Sequence, residues 1–205
     1  MKREEKIQLS RRRILDGALE EFSKQGYGAS SLNNICTRQG ISKGIIYHYF
    51  DTKDALFLAC VEECFQRLTE YLRTEMRQET DTFDEMLEEY FMVRMAFFKY
   101  HPVYQRIFCD AMITPPAHLN EDIQRIKHDF DMINRSIMEK IFEQVTLRSN
   151  ITKAEIIDTF RQFQDFINVR YQMTGIGEQE FEAREKSCRK ALNILLYGIV
   201  ERKEN

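Results

Sequence analysis

The sequence predicts an all-α fold of about nine helices, and three observations support this prediction. Apolar residues recur at helical spacing along the whole chain, and no run shows the strict alternation of a half-buried strand. The 205 residues include only three prolines and eight glycines, whereas 43% are hydrophobic and 31% are charged. This composition is rich in helix formers, and the chain is long enough to bury a core without metal or disulfide support.

The first helix is expected to run from about Leu9 to Lys24. It should stop at Gly26, because glycine readily adopts the left-handed conformation that ends helices. Arg11 lies in its basic front edge. The apolar stripe that should face inward consists of Ile14, Ala18, Leu19 and Phe22. The helix is therefore amphipathic and should pack against its neighbours along this stripe.

Two short helices follow, each preceded by a serine. Ser31 is placed to cap a helix that ends at Gly40, and Ser42 is placed to cap the next helix. In that next helix the inward side should be formed by Ile46, Tyr49 and Phe50. The residues left pointing outward are Lys43, Gly44, Tyr47 and His48.

A long fourth helix opens the larger part of the chain. Thr52 can cap it, and its amphipathic pattern continues to about Arg77, which is far enough to bridge to a second domain. Five more helices are predicted near residues 83–100, 102–112, 118–149, 153–173 and 178–202. No flexible linker or repeat interrupts them. We place the domain boundary between residues 1–51 and residues 52–205.

Charge is distributed unevenly along the chain. Residues 1–60 contain 10 Lys and Arg against 7 Asp and Glu, a net charge of +3, whereas residues 61–205 carry a net charge of −6. A short basic module on an acidic body is typical of a protein that touches nucleic acid with one end. The charged N-terminus lacks a signal-peptide core, and no segment reaches the roughly 18 apolar residues of a membrane span. We therefore expect a cytoplasmic protein with no membrane partner.

The five cysteines are odd in number and do not show metal-ligand spacing. They are Cys36, Cys60, Cys64, Cys109 and Cys188. We expect reduced thiols that serve mostly as small core residues, and we predict neither a metal site nor a cofactor.

The two short helices and the turn at Gly40 form the pattern of a helix-turn-helix. In that geometry the start of the second helix enters the major groove of DNA. There Lys43 can donate to guanine or to a phosphate, and Gly44 permits a close approach of the backbone. Tyr47 and His48 can donate to phosphate oxygens. The pattern thus favours a contact with double-stranded DNA.

Lys53 lies in the first turn of the fourth helix, where the helix dipole favours anions. A bound phosphate would compensate for this unfavourable position. From periodicity alone, however, an ordinary three-helix packing unit with surface Lys and Tyr stays open as an alternative.

Three motifs resemble a known family: a lead-in of the form G-Y-x-A-[ST]-S, a G-[VI]-S-K-G turn, and a Y-x-[YH]-F-x-x-K-x-x-L ending. The segment of about residues 9–60 is similar, almost position by position, to the DNA-binding module of TetR/AcrR regulators. The resemblance implies a ligand-responsive transcriptional regulator, usually a repressor, with residues 42–49 as recognition helix. It also implies that Tyr47 and Lys53 hold phosphates, while Lys43, Gly44 and Ile45 face the groove.

One position departs from the family pattern. Members often carry a basic residue where this chain has Asn33, so a contact from there is expected to be weaker or directed at adenine. The candidate DNA-binding residues are Arg11, Ser31, Asn33, Ser42, Lys43, Gly44, Ile45, Tyr47, His48 and Lys53.

The remainder of the chain is rich in Phe, Tyr and Met. Each such residue alone is more often core than ligand wall, but together they allow an apolar cavity, which the resemblance places among helices five to eight. No Lys or Arg cluster accompanies them, so we expect a small apolar or aromatic effector. The candidate pocket residues are Phe91, Met95, Phe98, Tyr104, Phe108, Met112, Phe130, Phe163 and Phe166.

The last two predicted helices carry more apolar surface than one buried face requires. This surplus predicts a homodimer, although the same helices would also serve to close the domain's own core. The candidate interface residues are Ile156, Phe160, Phe163, Ile167, Cys188, Ala191, Leu192, Leu195 and Ile199.

Two other classes of protein compete with a regulator. An enzyme would need convergent nucleophile, base or metal-ligand groups, and none stands out, so no enzymatic activity is expected. A helical protein-interaction module without specific DNA binding would show acidic or bulky residues on the recognition face, and the predicted face carries no such residues.

Overall fold

The computed structural model describes residues 3–76, 82–172, 190–191 and 193–195, and these residues confirm the all-α prediction. Nine α-helices and one 3₁₀ helix are delimited within these ranges. They are α1 (Arg3–Ala29), α2 (Leu32–Gln39), α3 (Lys43–Tyr49), α4 (Lys53–Glu75), α5 (Phe83–Tyr100), α6 (Val103–Met112), the 3₁₀ helix (Ala117–Leu119), α7 (Asn120–Ile126), α8 (His128–Glu143) and α9 (Lys153–Gln172).

Helix α1 starts six residues before the predicted Leu9. Glu4 and Glu5 lie in its first turn, where carboxylates interact favourably with the positive end of the helix dipole. The predicted stop at Gly26 is confirmed as a break in the helix: Gly26 has φ 71° and ψ 172° and interrupts the helical backbone, and a last turn follows as far as Ala29. Such a conformation is essentially restricted to glycine.

The single helix predicted over residues 118–149 is wrong. The chain forms the 3₁₀ helix, then α7, and then α8, which ends at Glu143. At Lys127 the backbone has φ −82° and ψ 0°, and its N–H bonds to the carbonyls of Arg125 and Ile123. The sequence has no glycine or proline at this break, and its apolar residues continue at helical spacing across it. The pattern therefore predicted one helix where the chain forms several. The helix predicted over residues 178–202 lies almost entirely outside the described residues.

The chain divides into two compact units, which differ from the predicted domains. The first unit consists of residues 1–71 and 96–130, and in it α1 packs against α2 and α6. Its core includes the predicted stripe of α1, and the ring centroids of Phe22 and Phe57 lie 5.1 Å apart. The predicted domain boundary between residues 51 and 52 separates the DNA-binding module from the rest of the chain. Because it was drawn by function and not by compactness, it stays a prediction.

The second unit consists of residues 72–95 and 131–205. The described part of it contains an aromatic cluster in which Phe160 is 5.7 Å from Phe91 and 6.3 Å from both Tyr90 and Phe142, measured between ring centroids. Tyr90 also belongs to a buried polar network, because its hydroxyl donates to the Asn134 amide oxygen and accepts from Arg94 at 2.7 Å.

The cysteines within the described ranges are free thiols. Cys60, Cys64 and Cys109 are buried and Cys36 is half-buried, as expected for small core residues, whereas Cys188 lies outside the described residues. Burial raises the pKa of the Cys60 and Cys64 thiols, which keeps them protonated and unreactive. In the part of the chain that the structure describes, no group of His, Cys, Asp and Glu side chains could hold a metal ion, and no helix is long and apolar enough to cross a membrane.

Candidate nucleic-acid interface

The ends of helices α2 and α3 are capped by the residues that the sequence predicts. The Ser31 hydroxyl accepts from the Asn33 N–H at 3.2 Å, and the Ser42 hydroxyl accepts from the Ile45 N–H at 3.3 Å. Between the helices Gly40 adopts the left-handed conformation, with φ 60° and ψ 40°, and its N–H bonds to the Cys36 carbonyl. These caps satisfy backbone groups at the helix ends, so the helix-turn-helix is fixed locally.

The outward face of α3 is exposed, whereas its opposite side is anchored in the core. Ile46 is completely buried and Phe50, directly after the helix, is 5% exposed. On the outside Ile45 and Tyr47 are 42% and 45% exposed, which is unusual for large apolar and aromatic side chains. The exposed residues of α3 and its cap that were predicted to face DNA are Ser42, Lys43, Gly44, Ile45, Tyr47 and His48.

The buried carboxylate of Glu21, in α1, accepts hydrogen bonds from the start of α2. Glu21 has no exposed surface, and its Oε1 accepts from the Ser31 N–H at 3.1 Å and from the Asn34 amide at 2.8 Å. Its Oε2 lies 3.0 Å from the Arg38 guanidinium. Sequence reasoning missed Glu21. A buried charge is tolerated only when it is paired in this way, so the position of α2 on α1 is specified by directional bonds.

Two arginines of α1 reach the ends of the short helices. Arg13 donates to the Gln39 carbonyl, at the end of α2. The Arg11 guanidinium lies 5.3 Å from the centroid of the Phe50 ring, which is a cation–π distance. Arg11 was predicted to contact DNA; the structure places it beside Phe50 and leaves its side chain exposed.

Lys53, the other predicted phosphate ligand, stands at the first position of α4. The preceding Thr52 caps the helix, since its hydroxyl accepts from the Ala55 N–H at 3.0 Å. The Lys53 ammonium lies 4.7 Å from the centroid of the Tyr27 ring and 3.5 Å from the Gly28 carbonyl oxygen. The lysine is therefore packed against the end of α1.

Tyr27 connects α1 to two further elements. Its hydroxyl donates to Asp54 and lies 3.3 Å from His118 Nε2, which in turn is 3.1 Å from the second Asp54 oxygen. Burial and the bond to Asp54 raise the pKa of Tyr27 to about 12. The bond from Tyr27, assisted by His118, holds the pKa of Asp54 below its ordinary value despite partial burial. At neutral pH this is thus a tyrosine hydroxyl bound to a carboxylate.

A second polar junction joins α1, α4 and α6 through Glu63. The Tyr104 hydroxyl donates to Glu63 at 2.6 Å, and Arg12 donates to both Glu63 oxygens and to Asp16. Burial raises the pKa of Glu63, but the bonds from Arg12 and Tyr104 outweigh burial and lower it. Burial and the bond to Glu63 raise the pKa of Tyr104. This carboxylate therefore stays ionised between three helices.

The candidate pocket residues are distributed over both units. In the first unit Phe98 and Phe108 have ring centroids 5.1 Å apart, and Phe108 and Phe130 have centroids 6.0 Å apart. Tyr104, in the same unit, is 4% exposed and stacks on Phe97. Other candidates lie elsewhere: Met112 is half-buried in the first unit, while in the second unit Phe91, Met95 and Phe163 are half-buried and Phe166 is 60% exposed.

The candidate dimer residues differ in how much surface they offer. Ile156 and Phe160 are 2% and 1% exposed within the single chain, so they leave almost no surface for a partner. Phe163, Ala191 and Leu195 are half-buried. Cys188, Leu192 and Ile199 lie outside the described residues, and of Ile167 only the helical backbone is described.

Comparison with known proteins shows which proteins this site is similar to. A family model described as bacterial regulatory proteins of the tetR family matches residues 14–60. The HTH-type transcriptional regulator UidR of Escherichia coli is 26% identical over 196 residues, which are 94% of this chain and 94% of the relative. The HTH-type negative transcriptional regulator IcaR of the biofilm operon icaADBC of Staphylococcus epidermidis is 25% identical over 131 residues, 64% of this chain and 66% of the relative.

A solved structure extends the similarity beyond residues 14–60 to the fold of most of the chain. The transcriptional regulator FadR from Bacillus subtilis, in complex with stearoyl-CoA, superposes with a TM-score of 0.69 at 17% sequence identity, over 88% of this chain and 96% of FadR. At this level of identity the match concerns the fold.

Proposed function

Since the chain belongs to the TetR family of bacterial helix-turn-helix transcriptional regulators, we propose that it is a repressor that binds a palindromic operator and is released by a small apolar or aromatic effector. One observation carries the DNA part of this proposal: the outward face of α3 is exposed while the helix itself is capped and anchored. Such a face pre-forms the surface that a major groove requires.

Gly44 supports a close approach of DNA to α3. A Cβ atom added at Gly44 would meet nothing of this chain nearer than the Ser42 hydroxyl at 3.9 Å. Glycine inside a helix is destabilising by roughly 0.5–1 kcal/mol relative to alanine. The chain's own packing thus gives no reason for glycine here, whereas a DNA backbone or base edge in contact with α3 does.

The remaining residues divide into groove readers and phosphate ligands. We assign Lys43, with Gly44 and Ile45, to the groove, and Tyr47, His48 and Lys53 to phosphates. Among the candidate contacts around the caps and on α1, Arg11, Ser31 and Ser42 are assigned to the flanking DNA backbone, and Asn33 is assigned to the DNA backbone or to an adenine.

An effector of apolar or aromatic character suits the body of the chain. The described aromatic residues form clusters in each unit, and FadR of Bacillus subtilis, which has the same fold, was solved with stearoyl-CoA. Helix α4 is continuous from Lys53 to Glu75, so a ligand that displaces its later turns would also move the DNA-binding residues at its start.

Repression from a palindrome requires two copies of the chain, with recognition helices about 34–36 Å apart or a multiple of that distance. We assign the contact between copies to the last two predicted helices, in which Phe166 is 60% exposed and Leu195 is half-buried. Phe166→Arg and Leu195→Arg should yield monomers in analytical ultracentrifugation, whereas Met132→Arg, on the exposed side of α8, should not. Dimers that persist in both variants would place the interface elsewhere.

The DNA-binding assignment is tested by alanine substitution and salt titration. Tyr47→Ala and Lys53→Ala should weaken operator and non-specific DNA alike, and Lys53→Ala should lower the slope of log K against log salt by about one. Lys43→Ala should also change the preferred sequence. Tyr100→Ala, at an exposed tyrosine in the last turn of α5, is the control. Unchanged affinity in all three variants would reject the assignment of α3.

A further inference from the structure

We propose that Tyr27 is a positioning residue for the phosphate contact of Lys53, and that α6 and the 3₁₀ helix hold Tyr27 in place through Asp110 and His118. This inference rests on the proposed function, because it presupposes that Lys53 binds a DNA phosphate. It adds a residue outside the helix-turn-helix that determines how strongly, but not where, the protein binds DNA.

The first step concerns the lysine itself. A lysine side chain has many rotamers, so a free ammonium at the surface binds a phosphate only after losing this conformational freedom. In the structure the Lys53 ammonium already lies over the Tyr27 ring, 4.7 Å from its centroid, and 3.5 Å from the Gly28 carbonyl. Both partners belong to the end of α1. The end of α1 therefore determines where the ammonium points.

The second step concerns the rigidity of Tyr27. Its backbone N–H donates to Asp110 of α6 at 2.9 Å, and its ring packs on Phe57 with centroids 4.8 Å apart. Just before it, Gly26 has a backbone conformation closed to other residues, and an added Cβ there would lie 2.7 Å from Arg106 and 3.0 Å from Asp110. The approach of α1 to α6 is thus close and specific, and Tyr27 cannot shift independently of α6.

The third step concerns the tyrosine hydroxyl. It donates to Asp54, and the same carboxylate and hydroxyl both lie within hydrogen-bond distance of His118 Nε2. Asp54 follows Lys53 directly in the first turn of α4. The bridge therefore ties the start of α4 to the 3₁₀ helix, on which His118 stands 64 residues away from Asp54.

These contacts have a functional consequence that differs from groove reading. A change in α6 or in the 3₁₀ helix would alter the direction of the Lys53 ammonium while Lys43 and Tyr47 keep their places on α3. Affinity and salt dependence should then change together, and the preferred DNA sequence should not. An effector that acts on α6 would have a direct route to the phosphate contact.

The test is a double-mutant cycle between Tyr27 and Lys53, measured by fluorescence anisotropy on operator DNA across a salt series. Tyr27→Leu removes the ring and the hydroxyl, and should weaken binding about three- to tenfold, which corresponds to a lost cation–π contact and hydrogen bond. Tyr27→Phe keeps the ring and should weaken binding about twofold. In the Lys53→Ala background the losses of affinity caused by Tyr27→Leu and Tyr27→Phe should nearly vanish, because Tyr27 then has no lysine to position.

Tyr100→Leu is the matched control, since Tyr100 is an exposed tyrosine of the same unit. It should bind like the unaltered protein in both backgrounds. If Tyr27→Leu fails to fold by circular dichroism, Tyr27→Phe and His118→Gln provide the same cycle, because the His118 side chain is exposed and its replacement is not expected to disturb the core. His118→Gln should weaken binding about twofold, again only when Lys53 is present.

Two outcomes overturn the inference. Losses that are equally large with and without Lys53 would show that Tyr27 acts by holding the fold together. Unchanged binding in the Tyr27 and His118 variants, together with weaker binding in Lys53→Ala, would show that the lysine needs no positioning. Failure of the proposed function looks different, since Lys53→Ala itself would then leave DNA binding unchanged.

Discussion

In the first unit, carboxylates shared between helices accompany packed aromatic rings, whereas the described part of the second unit has an aromatic cluster centred on Phe160. In the first unit Glu21, Glu63 and Asp110 each bind groups from at least one other helix or turn, at distances of 2.6 to 3.1 Å. In the second unit Phe160 contacts three aromatic residues at centroid distances of 5.7 to 6.3 Å. Shared carboxylates and packed rings differ in how strictly they fix the orientation of one helix on another.

Charge-assisted hydrogen bonds are short and directional, so they define the angle and register of one helix on another. Aromatic and aliphatic packing is less directional, and such cores accept substitutions of similar volume with little loss of stability. A surface that must match the spacing of DNA needs the first kind of contact. A region that must open for a ligand is better served by the second, and the candidate pocket residues Phe98 and Phe108 of the first unit and Phe91 of the second are packed in this way.

The largest effect is expected in the second unit, where Phe160→Ala removes a ring that is 1% exposed. Truncation of a buried phenylalanine typically destabilises a protein by about 3–5 kcal/mol, because burial is lost and a cavity remains. Denaturant unfolding should show this loss. Phe160→Leu should recover much of it if packing, rather than direction, stabilises this unit.

Met132→Ala is the control for that substitution, because Met132 is 55% exposed on α8 of the same unit. Its effect should stay within about 0.5 kcal/mol. A cost for Phe160→Leu as large as for Phe160→Ala would contradict the view that the second unit tolerates repacking.

An intermediate loss of stability is expected where Gly26 of α1 packs against α6. Gly26→Ala forces a residue with a side chain into a conformation with φ 71°, and its Cβ would lie 2.7 Å from the Arg106 guanidinium. Backbone strain of this kind costs about 1–3 kcal/mol. Unfolding measurements should show a loss in this range, and DNA affinity should fall as well because Tyr27 follows directly.

Gly28→Ala provides the comparison, since an added Cβ there meets nothing within 4 Å. It should change stability by less than Gly26→Ala. Equal losses at the two glycines would mean that the tight contact with α6 contributes little to the first unit.

The same contrast explains which features the sequence could predict. Ser31, Gly40 and Ser42 act on residues within a few positions of themselves, so their roles and the ends of α2 and α3 follow from local rules. The outward face of α3 likewise follows from the helical period. These features locate the candidate interface without any knowledge of tertiary contacts.

The bracing contacts behind that interface could not be predicted in this way. Glu21 is seven residues from Ile14 and three from Ala18, so the helical period places it at the edge of the inward stripe and its neighbour Glu20 on the outer side, but the period does not indicate its partners. Its partners lie 10 and 13 positions further along, and His118 reaches Tyr27 across 91 positions. The break at Lys127 was missed for a related reason, because it is made by backbone geometry without a glycine or proline.

The smallest effect on the free energy of unfolding is expected when the charge of Glu63 is removed. The sign of its pH dependence follows from the direction in which the pKa of Glu63 is shifted. Glu63 has a folded-state pKa below its ordinary value of about 4.5, so the native state binds fewer protons than the unfolded chain in this range. The stabilisation is therefore complete above that pH and is lost as the pH falls through the folded-state value. Glu63→Gln removes this contribution at every pH.

The measurable quantity is the difference in unfolding free energy between the unaltered protein and Glu63→Gln. At pH 7 it should be about 1–2 kcal/mol, which is below the usual range for hydrogen bonds to a charged group because solvent screens this partly buried site. Below about pH 4.5 it should shrink, because the wild-type carboxyl becomes protonated and loses its advantage over the amide. Glu62→Gln is the control: Glu62 is exposed and bonds to Gln66 one turn away. Its difference should stay within about 0.5 kcal/mol at all pH values. A Glu63 difference that grew as the pH fell would mean that burial outweighs the bonds from Arg12 and Tyr104, and Glu63 would then not be the shared carboxylate that fixes α1, α4 and α6 in direction.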